Sequence, residues 1–280
     1  MMRAWLGGKL CAPEEAHVAI ADRGFLLGDG VFETMRVRNG RAFDLDAHLE
    51  RLASGLKVLD FAQAVDLGRL RADVASYLSA EAADSAILRV TVTRGAGPRG
   101  LAPPGAPHPT LLMTLAPMPA PRDSPLSLHI ARRTRRNEFS PVSRIKALPY
   151  LDNLIALEEA RAHGADEALM LNTRGAVACA TIANLFLIRE GRLETPPVSD
   201  GALPGAMRAL ALSLANQVGL TPVEASLEEA DIAAADEVFL TNSVRGAAAA
   251  GSCNGAPLRR RAGGALERLR GLIAARIEET

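Results

Sequence analysis

The reading of Ser143-Arg144-Ile145-Lys146-Ala147-Leu148-Pro149-Tyr150 settles what kind of fold the rest of the chain must build. The chain has three lysines, Lys9, Lys57 and Lys146, against a large excess of arginine. In so lysine-poor a sequence, a lysine inside an apolar stretch calls for a reason. Arginine carries surface charge as well and offers a fork of donors. It keeps its proton near neutral pH, so it cannot serve as an amine nucleophile. Lysine can, once burial or a neighbouring cation lowers its pKa. Lys146 is therefore the best candidate for covalent chemistry. The alternative is a surface lysine at a strand end, its stem snorkelling over apolar neighbours.

On the C-terminal side of Lys146 a helix is expected from Tyr150 to Ala162. Leu151, Leu154, Ile155 and Leu157 form its apolar side and Gly164 stops it. Glu167 to Leu171, Gly175 to Ala178 and Asn184 to Ile188 read as strands. Pro204-Gly205-Ala206-Met207-Arg208 leads into a helix to Val218. Glu237 to Asn242 reads as a buried strand running into a Ser/Gly loop, and Arg260 to Glu278 as an amphipathic helix.

On the N-terminal side, Leu126 to Ile130 reads as a strand. Before it, Pro117, Pro119, Pro121 and Pro125 disfavour both helix and central strand. This predicts a small domain over 1–116, a linker over 117–123 and a larger domain over 124–280. In the small domain Gly7-Gly8 joins two short strands, Ala4 to Leu6 and Lys9 to Cys11. Val31 to Val37 alternates like a strand, Asn39-Gly40 turns, and Arg41 to Phe43 resumes. Asp44 or Asp46 is expected to cap a helix through His48, Leu49, Leu52 and Leu56. A second helix covers Leu67 to Leu78. Two further strands lie at Ala86 to Gly95 and Thr110 to Thr114.

The bulk properties exclude several classes. At 280 residues, 48% hydrophobic and 23% charged, the chain has enough apolar material for a sizeable core. A formal net charge of +0 gives no reason to expect nucleic acid or an anionic membrane as partner. Cys11, Cys179 and Cys253 are odd in number and lack CxxC spacing, which argues against a disulfide framework and a structural zinc site. No metal is expected. The segment after Met1-Met2 is not a signal peptide by pattern, and no stretch is apolar enough to span a bilayer. A reduced, cytoplasmic protein is the expectation.

Several segments together resemble one family. Asp22-Arg23-Gly24-Phe25-Leu26-Leu27-Gly28-Asp29-Gly30-Val31-Phe32-Glu33-Thr34 resembles the opening signature of the class IV aminotransferases. These are fold-type IV enzymes that use pyridoxal 5'-phosphate (PLP). His48-Leu49-Glu50-Arg51-Leu52, Arg144-Ile145-Lys146, Gly175-Ala176-Val177 with Ala183-Asn184-Leu185-Phe186, Leu203 to Arg208, and Thr241-Asn242-Ser243 follow in family order. The resemblance implies an α/β (α+β) two-domain fold. It has a small N-terminal α/β domain and a larger C-terminal domain with a barrel-like sheet. It also implies PLP as cofactor and a homodimer.

Within that resemblance the residues take roles. Lys146 bonds the PLP aldehyde. Ala206 and Met207 offer backbone N–H groups at a helix N-terminus to the phosphate. Arg51 adds a cationic fork, and Asn242 and Ser243 add amide and hydroxyl donors. The alternatives are a solvated helix charge for Arg51 and an ordinary loop for Asn242-Ser243. Tyr150 reaches the phenolic oxygen of PLP, or is a core tyrosine at a helix start. One position departs from the pattern. Where the family has a glutamate facing the pyridine nitrogen, this chain has Cys179. A neutral thiol is at most a weak hydrogen-bond donor, so the ring would draw electrons less strongly. That disfavours transamination and suits an elimination in which the leaving group carries charge away. Cys179 read without the family is a small buried core residue.

Three activities compete: aminodeoxychorismate lyase, D-amino acid transaminase, and branched-chain or amine transaminase. Thr93 to Leu101 resembles a substrate loop in which Arg99 holds a carboxylate. Leu101 stands where the D-amino acid enzymes often have histidine. Ser226-Leu227-Glu228-Glu229-Ala230 looks most like the lyase, and so does Phe32-Glu33-Thr34, with Thr34 placed to protonate a departing enolpyruvate. Phe25 and Phe32 are the other expected substrate contacts. The leading expectation is a lyase that expels pyruvate from 4-amino-4-deoxychorismate and leaves 4-aminobenzoate, a folate precursor. The others are a transaminase, and a PLP-binding protein with weak or lost activity.

Overall fold

The structure, a computed structural model, describes residues 3–122 and 124–280. Met1, Met2 and the linker residue Asp123 lie outside the described residues. The chain divides into two compact units. Among the described residues, one comprises 3–119 with Ile145–Pro149, and the other 120–122 and 124–144 with Tyr150–Glu279.

The first unit is built on a six-stranded antiparallel sheet. The hairpin β1 (Ala4–Leu6) and β2 (Lys9–Cys11) turns at Gly7-Gly8, both at positive φ. A short helix α1 (Arg23–Leu27) leads to β3 (Gly30–Arg38), which pairs with the two-residue β4 (Arg41–Ala42) across Asn39-Gly40. Helices α2 (Leu45–Val58) and α3 (Leu67–Ala80) follow, then β5 (Ser85–Thr93) and β6 (Thr110–Pro117). Asp44 is the residue before α2, but it sits at φ 55° and its side chain caps no N–H. Asp66 does cap α3, accepting from Arg69 N–H at 2.9 Å. Val31, Met35 and Val37 of β3 pack with Leu88, Val90 and Val92 of β5 and with Leu49, Leu52 and Leu56 of α2. Period-2 alternation therefore leaves Phe32, Thr34, Arg89 and Thr91 on the opposite face.

The second unit carries a nine-stranded mixed sheet. Its elements are β7 (Leu126–Ile130), α4 (Leu151–Ala162), β8 (Glu167–Leu171), β9 (Val177–Ala180), β10 (Asn184–Arg189), β11 (Arg192–Thr195), α5 (Ala206–Leu214), β12 (Thr221–Glu224), α6 (Glu229–Ala234), β13 (Glu237–Asn242), β14 (Gly246–Cys253), β15 (Ala256–Pro257) and α7 (Ala265–Glu278). Pairing runs β12-β11-β10-β13-β14-β7-β8-β9, with β15 beside β14. The expected fold class is the observed one: an antiparallel sheet in the small unit and a mixed, half-barrel sheet in the large one.

Two local expectations need correcting. The large apolar residues of α4 do not make its inner face. Leu151, Leu154 and Ile155 are exposed, Leu151 by 73%, while Asn153, Ala156, Glu159 and Ala160 are buried. Small residues let the helix lie close on β7 and β8, and Glu159 is held there by Arg132 N–H at 2.8 Å and Arg133 N–H at 2.9 Å. The segment after Asn242 is not simply a loop. It turns tightly into the alanine-rich β14, which pairs antiparallel with β13 and parallel with β7.

Candidate active site

Lys146 lies in the first unit. Phe32 N–H donates to Lys146 O at 2.9 Å and Leu148 N–H to Gly30 O at 3.0 Å. With the isolated Val31–Ala147 bridge, these bonds tie the segment around Ala147 to β3. The approach is close: a Cβ on Gly30 would stand 2.5 Å from Val92 O and 2.8 Å from Leu148 Cδ1. Ile145 and Ala147 enter the core. Alternation turns Lys146 to the other face, where its Nζ lies 4.3 Å from the centre of the Phe32 ring. The Arg89 guanidinium carbon lies 3.7 Å from the same centre. Thr34 is directly opposite Arg89 in register. One sheet face therefore gathers Lys146, Phe32, Thr34 and Arg89. Arg89 was not foreseen. Its signal was an arginine in the middle of an otherwise apolar, alternating strand.

The other face of β3 holds a buried ion cluster. Glu33 Oε1 accepts from Arg51 Nε at 2.8 Å, and its Oε2 accepts from Arg51 Nη2 at 2.6 Å and lies 2.6 Å from His48 Nδ1. Burial alone would raise the Glu33 pKa. The hydrogen bonds and charges of Arg51 and His48 outweigh it and hold the carboxyl at about 2. Arg51, expected as a phosphate fork, thus has its Nε edge fixed by Glu33. Arg99 and Phe25 are both exposed, Phe25 by 75%.

The second unit gathers the other candidates. Gly205 precedes α5 with no side-chain cap, so the N–H groups of Ala206 and Met207 open the helix. A Cβ at Gly205 would stand 2.2 Å from Asn184 Oδ1. Asn184 is itself fixed by donating from Nδ2 to Leu203 O at 2.8 Å. In register Asn184 faces Thr241, whose buried Oγ1 has no hydrogen-bond partner among the described residues. Asn242 Oδ1 accepts from Val244 N–H at 3.1 Å and Arg245 N–H at 2.8 Å, shaping the turn that carries Ser243. An uncapped helix start of nine residues, a glycine where a side chain would collide, and an orphan buried hydroxyl suit a phosphate group.

Cys179 is buried on β9 within an alanine-rich cluster that includes Ala156, Ala160, Ala168 and Met170. Burial pushes its thiol pKa up, with Arg136 pulling the other way and Glu167 adding to the rise. It is a neutral thiol near pH 7. Tyr150 stands at the N-cap position of α4. Among the described residues no group of His, Cys, Asp and Glu could hold a metal ion, and no helix is long and apolar enough to cross a membrane.

Comparison with known proteins gives the family. The family model for class IV amino-transferases matches residues 30–253. A Methanocaldococcus jannaschii protein provisionally named a branched-chain-amino-acid aminotransferase is 34% identical over 245 residues, covering 86% of this chain and 84% of its own. The aminodeoxychorismate lyase of Bacillus subtilis is 32% identical over 248 residues, covering 86% and 83%. Among solved structures, the PLP-bound form of a hypothetical aminotransferase from Mycobacterium tuberculosis superposes with a TM-score of 0.87 at 26% identity, covering 98% of each chain. With the family motif spanning both units and the fold shared throughout, the chain belongs to the class IV aminotransferase family.

Proposed function

We propose that this chain is a PLP-dependent lyase that expels pyruvate from 4-amino-4-deoxychorismate and leaves 4-aminobenzoate. The residues present fit the cofactor: Lys146 offers the amine, and Ala206, Met207, Ser243 and Asn242 offer donors to the phosphate, with Arg51 as its cation. Bound there, PLP would supply an aldehyde that takes up a substrate amine and a ring that withdraws electrons.

The chain's own residues divide the remaining work. Arg99 holds a substrate carboxylate through parallel N–H···O bonds. Phe25 and Phe32 cover the apolar parts of the substrate. Lys146 Nζ takes the proton from the substrate ring carbon that bears the nitrogen. Thr34 Oγ1 then gives a proton to the departing enolpyruvate, which becomes pyruvate, and the ring becomes aromatic. Tyr150 orients the cofactor's phenolic oxygen. Support for Thr34 comes from its register opposite Arg89 on the Lys146 face.

The observation that carries the lyase reading is Cys179. A buried neutral thiol, where the family carries a carboxylate, would leave a bound PLP ring a weaker electron sink. Elimination tolerates this, because aromatisation and the leaving group take the charge. Incubation with 4-amino-4-deoxychorismate is expected to yield equimolar 4-aminobenzoate and pyruvate. Absence of both, with transfer of an amino group from D-alanine or a branched-chain amino acid to a keto acid, would instead establish a transaminase. The similarity to the Methanocaldococcus jannaschii protein supports that second reading.

A homodimer accompanies the proposal. In the first unit Phe25, Leu26, Leu27 and Leu101 are exposed, and in the second so are Leu151, Leu154 and Ile155. Apolar groups of this size suit a subunit contact. Light scattering at about twice the chain mass is expected.

A further inference from the structure

The residues after β5 form an exposed loop with almost no side chain of its own to hold it. Leu101 at its tip is 83% exposed, and Pro98, Arg99, Gly100 and Ala102 are exposed with it. What does hold it is a buried arginine far away in sequence. Arg23 Nη1 donates to Gly100 O and to Ala102 O, each at 3.2 Å, and Nη2 donates to Leu101 O at 3.0 Å. Its Nε donates to Asp29 Oδ2 at 2.8 Å. The same oxygen accepts from Arg94 Nε, also at 2.8 Å, at the start of the loop. The root of the loop is joined to the same segment: Arg23 N–H donates to Gly95 O at 2.9 Å and Gly97 N–H to Ala21 O at 3.2 Å.

Successive carbonyls of an extended chain point to opposite sides. Three in a row converge on one cation only if the backbone curls around it. Arg99 is the residue immediately before that curl. We propose that Arg23 is a positioning residue that fixes the backbone on which Arg99 is presented. Arg23 acts through the loop and touches no substrate. This rests on the reading of Arg99 as the holder of the substrate carboxylate. Lysine cannot replace Arg23. A single ammonium has three tetrahedral donors, against four acceptors arrayed around a planar fork.

The test compares Arg23→Lys, Arg99→Ala and the parent as PLP-loaded enzymes. It uses 4-amino-4-deoxychorismate, or the amino acid that proves to be the substrate. The readouts are KM and kcat, melting temperature, and hydrogen exchange over 98–103. Arg23→Lys is expected to raise KM about tenfold or more with little change in kcat, and to speed exchange in the loop, with melting near the parent's. Arg99→Ala is expected to raise KM with parental exchange. If Arg99→Ala leaves KM unchanged, the carboxylate role of Arg99 is wrong, and the exchange data still report whether Arg23 orders the loop. If Arg99→Ala raises KM while folded Arg23→Lys keeps parental KM and exchange, the positioning role is overturned. Should Arg23→Lys fail to fold, deletion of Ala102 removes one acceptor and shifts the curl while keeping Arg23. It is expected to raise KM likewise, and a parental KM there also overturns the proposal.

Discussion

Replacing Glu33 by glutamine should expose how much of the first unit's stability lies in one buried charge cluster. Glu33 is 1% exposed and its carboxyl is held down from 4.5 to about 2 by Arg51 and His48. At about 1.4 kcal/mol per unit of displacement, the ionised form is favoured in the folded state by on the order of 3 kcal/mol. Glutamine keeps an acceptor but turns an amide donor toward donors that lose their counter-charge, a loss of the same order. The sign follows from the depressed pKa. The stabilisation is complete above the ordinary value of 4.5 and is lost as pH falls toward 2. Calorimetry of parent and Glu33→Gln, without added PLP so that cofactor binding does not contribute, should show a gap of roughly 6–12 °C at neutral pH. The gap should narrow as the buffer is taken below pH 4.5. A gap that is absent at neutral pH, or that stays constant down to pH 3 or so, where protonation of the parent should have begun to close it, would show that the cluster does not work as argued.

Substitutions at three other positions address the candidate site. Gly205→Ala drives a methyl into Asn184 Oδ1 at 2.2 Å and should weaken PLP much more than phosphate-free pyridoxal, measured by equilibrium titration. Equal weakening of both would remove the phosphate from that helix start. Cys179→Glu should increase the rate at which D-alanine converts the bound cofactor to its amine form, followed by absorbance. An unchanged rate would mean that position 179 does not face the pyridine nitrogen. Thr34→Val, close in shape but without a proton to give, should slow 4-aminobenzoate formation by about a hundredfold, within the usual range for a general acid, while Thr34→Ser retains most of it. Parental activity in the valine variant would leave Thr34 a strand residue only.

The two units differ in how readily the sequence discloses them, and the cause is the range of the interactions involved. Strands β3 and β5 were legible because their alternation is written locally, β10 because it is a short, mostly apolar run, and so was the glycine-led start of α5. The inner face of α4 was not. Leu151, Leu154 and Ile155 look like a core stripe until the tertiary structure shows Ala156 and Ala160 against the sheet. Bulk hydrophobicity marks residues that avoid water, but not whether the cover comes from their own chain. Short β11 and alanine-rich β14 carry too little side-chain signal to be seen alone, and become strands only through their neighbours. Lys146 is the sharpest case. Its chemical oddity was visible in composition, yet its surroundings come from Phe32 and Arg89, which lie far from it in sequence. The expected linker also did not divide the chain cleanly, because hydrogen bonds to Gly30 and Phe32 return Ile145–Pro149 to the first unit. Glu33 and His48 were read as parts of motifs, and only the antiparallel register shows that β3 presents Glu33 to Arg51 on one face and Phe32 to Lys146 on the other. A single strand thus ties the buried cation to the candidate nucleophile. A register slip of one residue would exchange their faces and abolish both.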